Sequence, residues 1–521
     1  MSKGKSDHLF QLVKSMKKSE KRYFKLFAGD EGPGENKKFL LLFEEIDRQD
    51  AFNEERILQK IPSIKPEQLS NLKSHLYKRI LQSLRQYHAA KVPEVSIREH
   101  IDFAQVLFNR CLYAQCAKTL QKAKKQAHEH NSLELLLEIY RWEKIVLAQT
   151  IGRGNQHRVN KIVSEVQDVN NRINNINTFT NLSARLNAFY LKAGFIRNQH
   201  DYDTISQFLA NNLPIYEESQ LSFNEKLHLY DLLVNYYFFI QDFEKGYEYA
   251  KKWVALFDQS KDYINSRLEM YIKGINNLMI AQYKLYAYVE FVETQKKLRS
   301  IKHLPGIELN ENIQTKLFKY HYVHEFNRYF MLGDFDMGVS HFNRIKANME
   351  AYIARLDKHS RIIMYYKIAC LYFGNDNYRE VIFWLNKIFT APDPDLREDI
   401  HSFARILNLI SHYELGNNDV LEYYLKSTYR FLLKKDDLHL YQKTILNFMK
   451  KLNRSITEAQ LLSQFENLLN QLLPLTQSRY EKRAFMYFDI ISWLEAKLQK
   501  KRVQEVIKAK AEKIITGQKV A

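Results

Sequence analysis

From about residue 97 onward, apolar residues recur at i, i+3, i+4 and i+7 in one segment after another, separated by short turns built on Asp, Asn or Gly. That period belongs to amphipathic helices, and turns this short predict that consecutive helices pair as hairpins. Residues 1–92 carry helical patterns over Asp7–Phe27, with a restart near Ser19 and Glu20, and over Lys37–Gln49, Asn53–Ile61 and Pro66–His88. Gly29–Asn36 is the clearest loop in the chain. Beyond residue 440 the helical patterns run Tyr441–Leu452, Thr457–Leu473 and Ser478–Ile515. In the last of these, Phe485, Phe488, Ile491 and Leu498 share an inward face and Lys497, Lys500, Lys501 and Arg502 an outward one. The pattern predicts a terminal capping helix that ends in a basic tail.

Several turns share one layout, in which a polar or Gly residue and then Asp or Asn precede an aromatic. The clearest cases end at Phe243, Phe335, Tyr378 and Tyr202. Three residues after each aromatic stands a small or apolar residue: Gly246, Gly338, Val381 and Ile205. Six residues before it stands another large apolar one, Tyr237, Tyr329, Tyr372 or Ile196, and seven earlier still Tyr230, Tyr322, Tyr365 or Phe189. A small residue lets the two helices of a hairpin approach, while the aromatics close the hairpin end and fill the groove to the next one. With this spacing the chain resembles the tetratricopeptide (TPR) repeat family, best over Tyr329–Ile345 around Gly333-Asp334-Phe335. It departs from the family in having Gly246 and Gly338 for the usual Ala, no Gly in mid-helix A, and a terminal Pro only at Pro392. The turn aromatics, with weaker candidates at Tyr286 and Asp419, recur at a period near 44 rather than 34. The resemblance implies an all-α fold, a right-handed α-solenoid of TPR-like hairpins over 93–440. A basic N-terminal helical domain over 1–92 would precede it, and a C-terminal helical cap over 441–521 would follow.

Composition narrows the fold in the same direction. Fifteen Gly and nine Pro in 521 residues are too few to punctuate a β-sandwich, a barrel or a doubly wound sheet. The net charge is +18, unevenly spread. Residues 1–92 hold 19 basic and 12 acidic side chains, and 479–521 hold 11 and 5, which leaves the long middle nearly balanced. Cys111, Cys116 and Cys370 make no disulfide framework and no CxxC pair. The polar start of the chain is not followed by an apolar signal region, and no apolar run approaches 18 residues. A soluble cytoplasmic protein, away from membranes, is the expectation.

Few residue constellations carry chemistry. Asn53–Ile61, the Pro62–Lys65 turn and the helix opened by Pro66 resemble a helix-turn-helix. Asn71, His75, Lys78 and Arg85 fall on the polar face of the second helix, where they would meet base edges or phosphates. His321, His324 and Glu325 stand at i, i+3 and i+4, but they lack the HExxH pattern and a further ligand, so no metal site is expected. Gly4-Lys5-Ser6 lacks the upstream Gly of a phosphate loop, and Gly152-Arg153-Gly154 follows no strand. No nucleophile with a base and no paired carboxylates emerge, so neither a catalytic residue nor a cofactor is expected. Tyrosines that exceed the needs of repeat packing suit a concave peptide groove, where helix position places Asn235, Asn327, Lys367 and Asn408. The expectation is a non-enzymatic scaffold or adaptor that binds a protein or peptide partner. The alternative is a transcriptional or signalling regulator whose N-terminal domain binds nucleic acid under control of the repeats.

Overall fold

The computed structural model describes residues 8–29, 35–89, 92–150, 156–193, 195–305, 307, 309–390, 397–434, 438–452, 457–478 and 480–515. Pro392, the Gly4–Ser6 and Gly152–Gly154 motifs and the end of the basic tail lie outside them. Among the described residues the protein is all-α, with twenty-five α-helices, four short 3-10 segments and no strand. None of these helices is long and apolar enough to cross a membrane. The packing divides the chain into two compact units, 1–173 and 174–521. The limits at 92/93 and 440/441 mark shifts in sequence pattern.

The first unit holds α1 (His8–Ser15), α2 (Lys18–Gly29), α3 (Glu35–Arg48), α4 (Glu54–Lys60) and α5 (Pro66–Ala89). After them come α6 (Pro93–Asn109), α7 (Tyr113–Glu129), α8 (Leu133–Thr150) and the start of α9 (Gln156–Ala193). Helices α1–α5 enclose a core of their own. Phe24 stacks obliquely on Phe43 at 4.7 Å, and Leu42, Ile46, Leu76 and Ile80 surround the pair. Asn53 caps α4 by accepting the Arg56 N–H, and Pro66 opens α5, where a missing N–H costs nothing.

The second unit continues α9 and adds α10 (Gln199–Asn212), α11 (Phe223–Phe239), α12 (Phe243–Gln259), α13 (Asp262–Ser266), α14 (Leu268–Lys284), α15 (Tyr288–Ser300), α16 (Glu311–Leu332) and α17 (Phe335–Ile353). The succession runs on through α18 (Lys358–Gly374), α19 (Tyr378–Phe389), α20 (Glu398–Glu414), α21 (Asn418–Lys434), α22 (Leu440–Lys451), α23 (Glu458–Leu472), α24 (Ile490–Gln499) and α25 (Val503–Ile515). Each helix from α14 to α20 packs on its neighbour in sequence, and α14, α16, α18 and α20 also pack on one another in turn.

One backbone turn joins five of these helix pairs. Gln241, Tyr286, Gly333, Asp376 and Gly416 all have positive φ, between 53° and 70°. The following residue donates its N–H to the carbonyl five positions earlier: Asp242 to Tyr237, Ala287 to Gln282, Asp334 to Tyr329, Asn377 to Tyr372 and Asn417 to His412, at 2.9–3.1 Å. This left-handed closure caps carbonyls that the helix leaves open, and the next helix begins two residues after the left-handed one. Cys111 and Asn131 make the same turn in the first unit. Tyr113, Phe243, Phe335 and Tyr378 therefore open helices, whereas Tyr202 lies one turn inside α10. The weak candidate Tyr286 is itself the left-handed residue, and near Asp419 the turn falls at Gly416.

The small residues sit where helices touch. A Cβ on Gly338 would come within 2.6 Å of Leu371, and one on Gly374 within 2.2 Å of the Phe335 ring. Trp253, Trp384 and Trp493 are fully buried between the pairs.

The C-terminal segment departs from the single helix that its pattern predicts over Ser478–Ile515. A 3-10 turn over Glu481–Met486 precedes α24, which starts where Asp489 accepts the Ser492 N–H. Lys500 then ends α24 in a left-handed conformation. The cause is tertiary. Phe485 and Phe488 pack into the core of the second unit, while the supposedly outward cations are drawn to carboxylates on other helices. Lys497 pairs with the buried Glu414, and Arg502 forks onto Asp336 at 2.9 Å and reaches Asp376 at 2.8 Å. Both aspartates belong to hairpin turns or first helical turns, so α25 holds two successive hairpins by their ends.

Gly333 and Gly416 separate two costs that coincide at other positions. Ala at Gly416 meets only backbone strain, because nothing lies within 4 Å of its Cβ; Ala at Gly333 also runs into the Lys508 backbone at 2.6 Å. Gly416→Ala should destabilise by about 1–2 kcal/mol, and Gly333→Ala by at least about 1 kcal/mol more. Urea denaturation of the two variants checks the order.

Candidate functional site

Within the second unit a cavity of about 530 Å³ opens among α9, α11, α14, α16, α18, the start of α20, the segment before α24 and the first turns of α25. Its lining follows from the turns. Counting back from the left-handed residue, positions near 13, 10, 6 and 3 face the cavity. In α14 these are Lys273, Asn276, Ile280 and Tyr283; in α16 Tyr320, Val323, Asn327 and Phe330; in α18 Ile363, Tyr366, Cys370 and Phe373. Such steps of three and four trace one face of a helix. The second helix of a pair contributes only its opening aromatic, Phe243 or Phe335.

Asn235 and Asn327 stand six residues before their turns, and Lys367 nine before its own; all three line the cavity. Asn408 does not. It stands eight residues before Gly416 in α20, of which only Arg397 and Ile400 reach the cavity, and is buried with its side-chain oxygen unpartnered. The expectation missed Lys273, Lys284, Lys319, His359, Tyr366 and Arg397. The first two were hidden because Leu285-Tyr286-Ala287 carries none of the usual turn residues, and counting from that turn would have found them.

Lys367 donates to the Asn327 side-chain oxygen at 2.5 Å and lies against the rings of Tyr283 and Phe330 at 5.5 and 5.3 Å. Burial lowers its pKa to about 8. Burial first, and then repulsion from Lys367 and Arg397, lowers Lys284 to about 7. Lys273 is neutralised by Asp231 at 2.7 Å, and Lys319 donates to the Ser360 hydroxyl at 3.1 Å. Arg397 has φ 58° and is held by both oxygens of Asp399 at 2.8 and 2.6 Å, with its guanidinium over Tyr190. The Tyr487 hydroxyl donates to the same carboxylate. Burial pushes the Cys370 thiol up to about 12, so it stays protonated at neutral pH.

Behind the lining runs a polar chain from α18 to α14. The Asn327 amide nitrogen meets His324 Nδ1 at 3.3 Å, His324 Nε2 meets the Asn276 oxygen at 3.0 Å, and Asn276 donates to Asn277 at 3.3 Å. Donors and acceptors match along the chain only if His324 is neutral with its proton on Nε2. Burial, with Lys367 next, drives its pKa down to about 3. Glu325 is engaged by Gln295, Arg299 and Arg328. These bonds occupy both ring nitrogens of His324 and both carboxylate oxygens of Glu325, and among the described residues no group of three His, Cys, Asp or Glu is placed to hold a metal ion.

In the first unit Asn71, His75, Lys78 and Arg85 are all exposed along α5. Arg85 makes a loose 3.4 Å contact with Asp102, both side chains being largely in solvent. At the other basic end, Lys497, Lys500, Arg502, Lys508 and Lys510 each have a carboxylate within 4 Å, so much of that local excess is neutralised in place.

No protein-family model matches the chain, and neither a curated protein nor a solved structure matches it.

His324 gives the fold an acid dependence. Its pKa is lower in the folded than in the unfolded state, so the unfolded chain binds the extra proton and stability falls as pH drops below about 6.5 toward the folded value. His359, lowered to about 4 by burial and then Arg397, acts in the same direction. Between pH 7 and pH 5 His324 alone should cost about 1–2 kcal/mol. His324→Gln should flatten the profile by that amount in urea melts at the two pH values.

Proposed function

We propose that residues 174–521 form a right-handed, TPR-like α-solenoid that serves as a non-enzymatic adaptor, binding a peptide or partner segment in the groove between its helices. The observation that carries this reading is the common register of the cavity lining. Successive first helices present the same face, at the same distance from the same turn, to one enclosed space. Side chains in that space combine aromatic walls with asparagine amides, which suit a peptide backbone better than a reacting bond. Asn235, Asn327 and Lys367 are the contacts expected of such a groove.

Panning a random peptide library on the immobilised full chain tests it. Enriched peptides should bind with micromolar affinity, and Ile280→Trp, which fills the cavity without changing charge, should weaken them at least tenfold. Peptides that bind Ile280→Trp as tightly as wild type, or no enrichment at all, would sink the reading.

The exposed polar face of α5 supports a second reading, a regulator whose first unit contacts nucleic acid through Asn71, His75, Lys78 and Arg85. Duplex DNA should then bind the full chain with an affinity that falls steeply with salt, and Lys78→Ala with Arg85→Ala should weaken it several-fold. Absence of binding at 50 mM salt removes this reading.

A further inference from the structure

We propose that Lys367 is a covalent capture site, whose amine takes up an aldehyde or ketone with an apolar aromatic body from the cavity as a reversible imine. Its place is the cavity wall described above; the peptide reading is not needed for it, and capture without turnover suffices.

The surroundings of the amine are neutral. Lys367 stands on α18 with Cys370 one turn on, and both side chains keep free surface on the cavity wall. Lys367 Nζ donates to the Asn327 oxygen at 2.5 Å, and the rings of Tyr283 and Phe330 lie at 5.5 and 5.3 Å. Among the described residues no carboxylate comes within ion-pair distance of it. Lys273, by contrast, has Asp231, and Arg397 has Asp399. Asp489, on the same wall, accepts the Ser492 N–H with one oxygen and the Ser492 hydroxyl with the other. The titratable groups nearest Lys367 are Tyr283 and Lys284 on α14, His324 on α16, and Tyr366 and Cys370 on its own helix, with Arg397 beyond Lys284. Burial keeps the two tyrosines and the thiol protonated and His324 neutral, so none of them is an anion near pH 7.

An ammonium buried among neutral groups loses its proton readily, and a neutral amine that faces an enclosed space is a nucleophile. With the pKa of Lys367 lowered to about 8, roughly a tenth of the molecules carry the free amine at pH 7, against fewer than about one in a thousand for an ordinary lysine. The space beside it suits a ring. Phe238, Tyr283, Phe330 and Phe373 each stand three residues before a left-handed residue, so four successive first helices bring an aromatic to one level of the cavity. Lys367 reaches that level, as its contacts with Tyr283 and Phe330 show. In the capture step the Nζ lone pair forms a C–N bond at the carbonyl carbon while the carbonyl π electrons move onto oxygen. Both N–H protons end on that oxygen, which leaves as water, so amine and carbonyl become imine and water with no oxidant or reductant. Hydrolysis reverses the step.

The test treats the full chain at pH 7 with benzaldehyde and cyanoborohydride, which reduces the protonated imine to a fixed secondary amine, and maps the alkylated lysines by peptide mass. Lys367 should react at least about tenfold faster than the exposed Lys125 and Lys426, with a rate that saturates at about 1 mM aldehyde or below. Benzyl alcohol, which has the ring but no carbonyl, should slow Lys367 alone. Ile280→Trp, which fills the cavity, should slow Lys367 at least tenfold and leave Lys125 unchanged. Lys367→Arg, which keeps a donor for Asn327 but cannot form an imine, should abolish the saturable labelling. In urea the advantage of Lys367 should disappear. Labelling of Lys367 no faster than of Lys125, a rate that does not saturate, or a saturable label that persists in Lys367→Arg would each overturn the proposal. Enriched library peptides that bind while Lys367 stays unreactive would keep the adaptor reading and overturn this one. A saturably trapped Lys367 with no enriched peptide would do the reverse.

Discussion

The paired helices at the centre of the second unit depend on a single backbone event, the left-handed residue that ends the first helix of five pairs. It costs conformational energy wherever the residue is not glycine, and Gln241, Tyr286 and Asp376 all accept that cost. In return the 6→1 bond that follows it satisfies an end carbonyl and fixes where the next helix starts, two residues on, to the residue. A variable loop would let each helix rotate about its own axis by 100° per inserted residue. With the turn constant, the inward faces of α14, α16 and α18 are set by counting from one position, and those faces make up much of the cavity's lining.

That constraint also determines how much of the site was legible in the sequence. Where the turn had a recognisable signature, as at Gln241-Asp242, Gly333-Asp334 and Asp376-Asn377, hydrophobic spacing led directly to Asn235, Asn327 and Lys367 on the cavity wall. Where it did not, as at Leu285-Tyr286-Ala287, a whole helix of contacts went unseen, including Lys273 and Lys284. Asn408 precedes a turn of the same kind and still misses the cavity. Only the start of its helix α20, at Arg397 and Ile400, reaches the cavity, and the rest of that helix, Asn408 included, is taken up by the core. The exposure of Asn71, His75, Lys78 and Arg85 was readable because α5 is long and regular, and periodicity alone decides which side of it is apolar. The breaks in the C-terminal segment were not readable, because Glu414, Asp336 and Asp376, which draw its cations, are far away in the chain.

The polar chain Lys367–Asn327–His324–Asn276–Asn277, with the Lys319–Ser360 bond beside it, joins three helices that otherwise pack largely through apolar side chains, whose contacts are tolerant of sliding. Hydrogen bonds are not tolerant. A shift of one helix along another would leave buried donors without acceptors, at about 1–3 kcal/mol each. The chain thus fixes the heights of α14, α16 and α18 against one another, which is what brings side chains at equal counts from their turns to the same level of the cavity. A neutral histidine serves this purpose better than a charged one, because only the neutral ring both accepts from Asn327 and donates to Asn276.

The cavity nevertheless is not complete from the paired helices alone. Tyr487, Phe488 and Asp489 supply part of its wall, and they are positioned by contacts distant in sequence: the Tyr487 ring stacks on Phe403 at 4.4 Å, and Phe488 meets Phe373 edge-on at 4.8 Å. The Arg502 fork onto Asp336 and Asp376 then ties the following helix to the turns of the two hairpins whose first helices carry Asn327 and Lys367. Asp336 is held down to about 2 chiefly by its hydrogen bonds from Arg502, so this tie keeps its charge across the neutral range. Turn geometry sets which side chains face inward, the buried amides set their levels, and the end of the chain encloses the space between them. Cations such as Lys284 and Lys367 can keep lowered pKa values only while that enclosure excludes bulk water, so the electrostatics of the site is a property of the whole unit rather than of any one hairpin.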